Sequence, residues 1–273
     1  MNVEQQVAAY YTRGELEERI LSKLRDTGKD LGQLRTEDLA ALDEFHLGGL
    51  EATQALATFM ELRPGMQLLD VGCGIGGPAR YFAARGCQVT GVDLTEEFLR
   101  VAESLTRLLK LDQSITFRQA SGLELPFESA TFDGAYEIHV GMNIADKAGV
   151  FREVARVLKP GARFAVFDIM RSGEGSFEFP VPWAKTPETS FVGSIEDYRQ
   201  ALRAAGLRIV HERGRQQFAL EFIQRMFKQA ASGPPVLGVH LLMGEQAPVM
   251  LKNANSAIAA GVLEPVELVA VVG

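Results

Sequence analysis

The sequence predicts an α/β protein with a doubly wound, mostly parallel sheet of seven strands. From residue 67 onward, short apolar segments alternate with amphipathic helical segments, which is the pattern of βαβ units. The first apolar segment leads into a glycine-rich turn and then a helix. Right-handed crossovers bring the carboxyl ends of such strands to one edge of the sheet, where ligands bind.

Three consecutive regions are expected along the chain. Residues 1–62 should form a helical segment that covers the site, because Leu16, Ile20 and Leu24 recur at helical spacing. A further helix is expected over residues 49–61. Residues 63–170 should form the core, with strands over 67–71, 88–93, 115–119, 132–137 and 163–169 and helices over 78–85, 96–109 and 148–158.

The third region, residues 171–273, should supply a lid and the last strands. Residues 171–193 are rich in proline and aromatic side chains and too long for an ordinary connection, which is typical of binding loops. Ser194 and Asp197 predict a capping box that opens a helix to residue 205. A strand over 208–211, helices over 217–231 and 246–260, and a strand over 266–272 follow.

The composition favours a soluble cytoplasmic protein with a small-molecule substrate. The formal net charge is −7 and basic residues are interspersed with acidic ones, whereas nucleic-acid binders carry basic patches. No run of eighteen apolar residues and no signal-like N-terminus occurs, so neither a membrane partner nor export is expected. Cys73 and Cys87 are the only cysteines, which predicts no disulfide framework. An oligomer remains possible.

The glycine-rich turn allows two interpretations. Gly72, Gly74 and Gly77 satisfy the G-x-G-x-x-G spacing of dinucleotide-binding enzymes. Glycines permit a sharp turn and a close approach of the ligand to the backbone. Asp93 ends the next strand, where a carboxylate can accept hydrogen bonds from ribose hydroxyls. The unusual feature is Asp70, an acid two residues before the first glycine, where dinucleotide enzymes usually have an apolar residue.

The segment Asp70-Val71-Gly72-Cys73-Gly74-Ile75-Gly76 resembles the first motif of class I S-adenosylmethionine methyltransferases. Three further segments occur in that family's order: Leu125-Pro126-Phe127, Phe132-Asp133 and Arg156-Val157-Leu158-Lys159-Pro160-Gly161. The resemblance implies a Rossmann-like fold over about residues 64–169. Residues 43–49 and 179–184 resemble the small-molecule branch that includes sarcosine and dimethylglycine N-methyltransferases.

That resemblance assigns S-adenosyl-L-methionine as the cofactor and implies roles for individual residues. The residues implied in cofactor binding are Asp70, Gly72, Gly74, Gly76, Asp93, Leu94, Ser121, Gly122 and Glu137. Substrate-binding roles fall to His46, His139 and Trp183, and catalytic roles to His139, His46 and Glu137. Purely structural roles stay open, since Asp70 can cap the turn, Asp93 the next helix, and either histidine can belong to the core.

The implied reaction is SN2 methyl transfer to a small molecule, with an amine favoured over an oxygen or a carbon. His139 or His46 could act as general base near neutral pH if the nucleophile arrives protonated. No metal-ligand cluster is evident, so no metal site is expected. Two alternatives remain at this stage: an NAD-dependent oxidoreductase, and a non-catalytic cofactor-binding protein.

Overall fold

A computed structural model describes residues 2–230 and 236–273, without the side chains of residues 229 and 230. The helices are α1 Val3–Tyr11, α2 Leu16–Asp26, α3 Thr36–Asp43, α4 Gly49–Phe59, α5 Gly77–Ala83, α6 Glu96–Leu108, α7 Lys147–Val157, α8 Ile195–Ala204, α9 Gln216–Ala230, α10 His240–Met243 and α11 Ala247–Ala259. The strands are β1 Gln67–Val71, β2 Gln88–Asp93, β3 Ile115–Gln119, β4 Phe132–Ile138, β5 Leu158–Arg171, β6 Leu207–Gly214 and β7 Leu263–Val272.

The seven strands form one sheet in the order β3-β2-β1-β4-β5-β7-β6. Strands β1 to β5 pair in parallel, whereas β7 lies antiparallel between β5 and β6. The predicted doubly wound, mostly parallel sheet is therefore confirmed. The antiparallel β7 distinguishes this sheet from that of the dinucleotide-binding enzymes, in which the strands run parallel.

Two apolar layers sandwich the sheet. One face packs against α7 and α8 through Phe151, Val154 and Leu202, and the other packs against α4 and α5 through Leu56 and Phe82. A separate cluster joins α2 and α3 to α6, so the N-terminal helices pack on the core beside the glycine turn. In the part of the chain that the structure describes, no helix is long and apolar enough to cross a membrane.

Several boundaries differ from the sequence prediction. Strand β5 begins at Leu158, directly where α7 ends, and not at residue 163. Leu158 pairs with Phe132 before a register shift in the β4–β5 ladder, so Pro160 and Gly161 fall inside the strand. Within the helical segment predicted over residues 1–62, α1 and α3 were not predicted individually, and α10 was not predicted. The helix predicted over 217–231 is present as α9, and residue 231 lies outside the described residues.

Candidate active site

The glycine turn connects β1 to α5 at the carboxyl edge of the sheet. The N–H groups of Gly72 and Cys73 donate to the carbonyl of Val92, at 2.8 and 3.0 Å, which fixes the start of the turn against β2. Gly74 has a φ of +52°, and a Cβ there would meet no atom within 4 Å. The turn therefore leaves open space where a ligand can approach the backbone closely.

Asp93 connects this turn to the start of α6. Its Oδ2 accepts a hydrogen bond from the N–H of Gly74 at 2.9 Å, and its Oδ1 accepts one from Thr95 at 2.8 Å. Burial raises the pKa of this carboxyl, although both backbone donors oppose the shift. One carboxylate therefore fixes the turn, and its remaining acceptor positions are available to a ligand in the cavity.

Asp70 lies beneath the turn, and one oxygen of its buried carboxyl lacks a hydrogen-bond partner among the described residues. It is 2% exposed, and its Oδ2 has no hydrogen-bond partner among the described residues. Burial is the main cause that raises its pKa to about 8; the nearby hydroxyl of Tyr136 and the charge of Arg80 oppose the rise, and the charges of Asp93 and Glu44 add to it. A cationic ligand group beside Oδ2 would satisfy the carboxyl and favour its ionised form.

A cavity of about 1200 Å³ opens at this edge of the sheet. Its wall combines the glycine turn and the strand ends with residues from the N-terminal helices, from the loop of residues 171–193 (the predicted lid) and from α9 to α11. The sequence-predicted residues on that wall are His46, Asp70, Gly72, Gly74, Asp93, Leu94, Gly122, His139 and Trp183. The structure thus brings together nine of the residues singled out from the sequence.

Three predicted site residues do not lie on the cavity wall: Gly76, Ser121 and Glu137. Gly76 is the residue before α5, and a Cβ there would stand 2.7 Å from the ring of Phe117. Ser121 uses its hydroxyl to donate a hydrogen bond to the carboxylate of Glu4 in α1. Gly76 and Ser121 thus lie outside the cavity wall, and their roles in cofactor binding stay predictions.

Glu137 does not face the cavity because successive side chains of a strand point to opposite faces of the sheet. Its neighbour Ile138 lines the cavity, whereas Glu137 is fully buried on the opposite face of β4, and neither of its oxygens has a partner among the described residues. Burial and the charge of Asp168 raise its pKa well above its ordinary value, while Lys147 lowers it. Glu137 is therefore a fully buried carboxyl away from the cavity wall, and its role toward the cofactor stays a prediction.

The two candidate histidines meet at the cavity wall although they lie 93 positions apart in the chain. The ring centroids of His46 and His139 are 5.8 Å apart, and both rings contact Phe167. Burial lowers the pKa of His46 to about 4 and that of His139 well below its usual value. Both are therefore neutral near pH 7, and burial makes each a weaker base than a histidine in water.

Asp168 positions the loop that follows His139. Its two carboxylate oxygens accept the N–H groups of Val140 and Gly141, at 2.8 and 2.9 Å, and the hydroxyl of Tyr198 at 2.8 Å. The backbone of His139 has a φ of +56°, which is unusual for a residue other than glycine. Sequence reasoning missed Asp168, although an acid inside the apolar strand β5 was a usable signal.

A buried ion pair attaches the N-terminal helices to the glycine turn. The Arg80 guanidinium in α5 donates to both carboxylate oxygens of Asp43 in α3, at 3.0 and 2.6 Å, and to the carbonyl of Ile75 at 2.7 Å. A Cβ on Gly77 would lie 2.1 Å from the carbonyl oxygen of Asp43. Gly77 thus permits the close approach of the end of α3.

Beyond the glycine turn the cavity wall is predominantly apolar. Trp183 is 5% exposed, and its Nε1 donates to the hydroxyl of Ser190 at 2.9 Å. Tyr10 of α1 donates from its hydroxyl toward the carbonyls of Val181 and Pro182, at 3.1 and 3.2 Å. The first helix therefore packs against the loop of residues 171–193 at one end of the cavity, and no sequence signal had pointed to Tyr10.

Residues 69–166 match the model of the methyltransferase domain family, which confirms the family predicted from the glycine-turn motif. Among curated proteins, the methyltransferase phqN of Penicillium fellutanum is 40% identical over 114 residues, which are 41% of this chain and 35% of that protein. The chain covers less than half the length of the first curated relatives that it matches, 35% of one and 49% of the next.

Solved structures share the fold over a larger part of the chain. A protein described as a sarcosine dimethylglycine methyltransferase from Galdieria sulphuraria superposes with a TM-score of 0.65 at 22% identity, covering 81% of this chain and 85% of that chain. The [4+2]-cyclase SpnF superposes with a TM-score of 0.63 at 25% identity, covering 81% of each chain. The fold is thus that of the class I methyltransferases, and one protein with this fold is named for a cyclisation.

Proposed function

We propose that this chain, whose residues 69–166 belong to the methyltransferase domain family, transfers a methyl group from S-adenosylmethionine to a small-molecule acceptor. The transfer is an SN2 displacement at the sulfonium methyl. An amine, an oxygen or a carbon acceptor is compatible with that displacement, and the sequence favours an amine. The cavity of about 1200 Å³ exceeds the usual range of single-ligand sites, roughly 300–1000 Å³, and offers room for a cofactor and an acceptor together.

The observation that carries the proposal is the pair of carboxyls on either side of the glycine turn. Asp93 holds Gly74 and Thr95 by backbone hydrogen bonds and keeps acceptor positions for a ribose diol. Asp70 has a buried oxygen without a partner among the described residues, which suits the ammonium of an amino-acid moiety. Gly74 leaves the space between them free. These residues fit S-adenosylmethionine, which carries both a ribose and an α-ammonium.

In this proposal the cofactor supplies an already activated methyl group when bound, so the protein acts mainly through geometry. Asp70 and Asp93 orient the methyl donor, and Leu94 and Gly122 of the cavity wall flank it. The N-terminal helices and the lid exclude water from the cavity, which strengthens electrostatic interactions inside it. His46 and His139 are the candidate proton acceptors.

The first experiment is calorimetric titration of the protein with S-adenosylhomocysteine and, separately, with NAD. We expect S-adenosylhomocysteine to bind and NAD not to bind. The variant Asp93→Asn should weaken binding by about 100-fold, because a charged hydrogen bond of roughly 1.5–3 kcal/mol is lost on the ligand. The exposed Asp112→Asn is the matched control and should bind like the wild type.

Binding of NAD alone would overturn the proposal and return the glycine turn to the dinucleotide class. Unchanged affinity in Asp93→Asn would remove the assigned role of that carboxyl. Circular dichroism of the variant checks that the turn still folds, since Asp93 also holds the N–H of Gly74.

A second candidate function is cofactor binding without methyl transfer. The shared fold of the [4+2]-cyclase SpnF, at 25% identity, is the observation that favours it. Turnover distinguishes the two functions: release of S-adenosylhomocysteine that depends on an added acceptor supports methyl transfer. Tight binding with no release across amine and hydroxyl acceptors would favour the second candidate.

A further inference from the structure

Three polar side chains from α4 and the residues that precede it meet beside the cavity: Glu44, His46 and Thr53. The Thr53 hydroxyl donates to Oε2 of Glu44 at 2.7 Å. Nε2 of His46 lies 3.1 Å from the carbonyl oxygen of Gly49, 3.2 Å from Oγ1 of Thr53 and 3.4 Å from Oε2 of Glu44. All three side chains are buried or nearly so, so these contacts are shielded from water.

The contacts determine which ring nitrogen of His46 carries the proton. The carbonyl oxygen of Gly49 can only accept a hydrogen bond, and an ionised Glu44 can only accept. The hydroxyl hydrogen of Thr53 is already used on Glu44, so its oxygen also acts as an acceptor toward the ring. Three acceptors around Nε2 require a proton there. Nδ1 is then the bare nitrogen, and it makes no hydrogen bond within residues 2–230 and 236–273.

We infer that Glu44 and Thr53 are positioning residues that hold His46 with its proton on Nε2, so that Nδ1 accepts the proton of a hydroxyl group on the methyl acceptor. The inference rests on the proposed function and names the acceptor class more closely. Glu44 plays the part of the buried acid that orients a catalytic histidine and stabilises its protonated ring.

A hydroxyl acceptor is favoured over an amine because of what the two nucleophiles need. A deprotonated amine attacks without help, whereas a hydroxyl is a weak nucleophile until a base removes its proton. A buried carboxyl beside a buried histidine costs desolvation energy, and an amine acceptor gives no reason for that cost. The apolar wall around Trp183 and Met142 suits a largely apolar molecule that carries the hydroxyl.

The proposed step balances atoms and charge. The acceptor oxygen forms a bond to the methyl carbon while the carbon–sulfur bond breaks, and that bond's electron pair stays on sulfur. The hydroxyl proton passes to Nδ1 of His46, and the resulting imidazolium lies beside the Glu44 carboxylate. The products are a methyl ether, the thioether S-adenosylhomocysteine and one proton, which the histidine later releases to solvent.

The surrounding charges set the pH range in which the Glu44–His46 pair can accept a proton. Burial is the main cause that raises the pKa of Glu44 to about 7; the hydrogen bond from Thr53 and the charge of Arg80 oppose this rise, and the charge of Asp43 adds to it. His139 faces His46 from the end of β4, and its pKa is lowered by burial and by His46, so it adds no positive charge near neutral pH. Above about pH 7 the pair therefore consists of an ionised Glu44 and a neutral His46, which is the proton-accepting state.

The tautomer is tested directly by nuclear magnetic resonance of the protein labelled with ¹⁵N-histidine, with S-adenosylhomocysteine added. The chain has four histidines, so His46→Gln assigns the signal. At pH 8 we expect His46 to show a protonated Nε2 and a bare Nδ1. Thr53→Val and Glu44→Gln should each broaden or mix the tautomers, whereas Thr53→Ser, which keeps the hydroxyl, should restore the wild-type pattern.

A proton on Nδ1 in the wild type would overturn the inference, and so would identical tautomers in the wild type and both variants. The control is Glu37→Gln, an exposed acid at the start of α3, which should leave the His46 signals unchanged. Since Thr53→Val and Glu44→Gln act on the same contact independently, misfolding of one variant leaves the other to decide.

Methyl transfer gives a second readout, with labelled S-adenosylmethionine and parallel sets of apolar alcohols, phenols and amines. We expect hydroxyl acceptors to be used, and Glu44→Gln to lower kcat by about 10–100-fold with little change in KM. Transfer to amines alone, unaffected by Glu44→Gln, would sink the inference and leave the proposed function standing. Absence of S-adenosylhomocysteine binding would instead sink the proposed function itself.

Discussion

The two halves of the cavity are built in different ways. The polar half comes from one short stretch of chain, with Asp70, Gly74 and Asp93 on neighbouring strand ends. The apolar half is assembled from segments far apart in sequence, including His46, Trp183 and Ile258. In the first half local sequence dictates the geometry, whereas in the second half tertiary packing does.

This difference explains what each half can reveal about function. Strand, glycine turn and acidic residue form a local pattern whose chemistry follows from backbone geometry. The apolar wall offers shape and little polar recognition, so its ligand depends on how distant segments pack. The cofactor class is accordingly readable from one motif, while the acceptor is best approached through the polar groups that face it, Glu44 and His46 among them.

The largest expected effect is at the junction between the halves, the buried pair Asp43 and Arg80. Asp43→Ala leaves the fully buried guanidinium of Arg80 without its carboxylate, which typically costs about 3–5 kcal/mol. The free energy of unfolding, measured with urea, should fall by that amount. Weaker S-adenosylhomocysteine binding should accompany the loss, because Arg80 also holds the carbonyl of Ile75 in the glycine turn.

The double variant Asp43→Leu/Arg80→Met sharpens this comparison. Replacing both partners removes the unpaired charge, so most of the stability should return. The affinity for S-adenosylhomocysteine should stay reduced, since the hydrogen bond to Ile75 remains lost. Full recovery of both quantities would mean that the pair connects the two halves without organising the turn.

The sequence was most informative in the polar half. The predicted bounds of β1, β2 and β3 agree with the structure, because each strand is a short apolar run ended by a turn signal. The capping box at Ser194 is also present, with its hydroxyl accepting the N–H of Asp197 at 3.1 Å. Glycine, acid and cap signals act over a few residues, so a single sequence contains them.

The sequence was least informative where packing decides. Glu137 was assigned to the site because it ends a strand there, but strand alternation points it to the α7–α8 face of the sheet. Tyr10, Glu44 and Thr53 were not singled out, since their partners lie on other turns or segments. Long-range contacts of this kind leave no periodic trace in a single sequence.

The next largest effect concerns the pH dependence of cofactor binding through Asp70. Its pKa of about 8 means that the carboxyl is largely protonated below that pH in the free protein. A ligand ammonium needs the ionised form, so the affinity for S-adenosylhomocysteine should rise by up to about tenfold per pH unit between pH 6 and 8, then level off. Calorimetry across this range measures the slope.

Asp70→Asn provides the comparison for that slope. Affinity should be low and independent of pH in this range, and a wild-type slope that persists in the variant would assign the titration to another group. Stability supplies a check of the sign. A raised pKa means that the folded state binds the extra proton, so Asp70 lowers the wild-type stability as pH rises from about 4 to 8. Asp70→Asn should remove that loss.

A smaller effect is expected in the apolar half, where Trp183 is the only tryptophan of the chain. An apolar dye such as Nile red should quench its fluorescence on entering the cavity, whereas S-adenosylhomocysteine alone should change it little. Trp183→Phe keeps an aromatic ring but loses apolar area worth about 1 kcal/mol, so dye affinity should fall by less than about tenfold. Equal quenching by both ligands would mean that the two halves are not separate.

The smallest effect is expected at Ser121, at the border between the halves. Its hydroxyl is occupied by Glu4 of α1 and does not line the cavity, whereas the adjacent Gly122 does. Ser121→Ala should therefore change the affinity for S-adenosylhomocysteine by less than about threefold, the size of one weak neutral hydrogen bond.

The same small change in Glu4→Gln would indicate that the two residues act together by closing α1 over the cofactor. A loss of about 30-fold or more in Ser121→Ala alone would instead mean that the hydroxyl contacts the cofactor, so that the polar half extends one residue further.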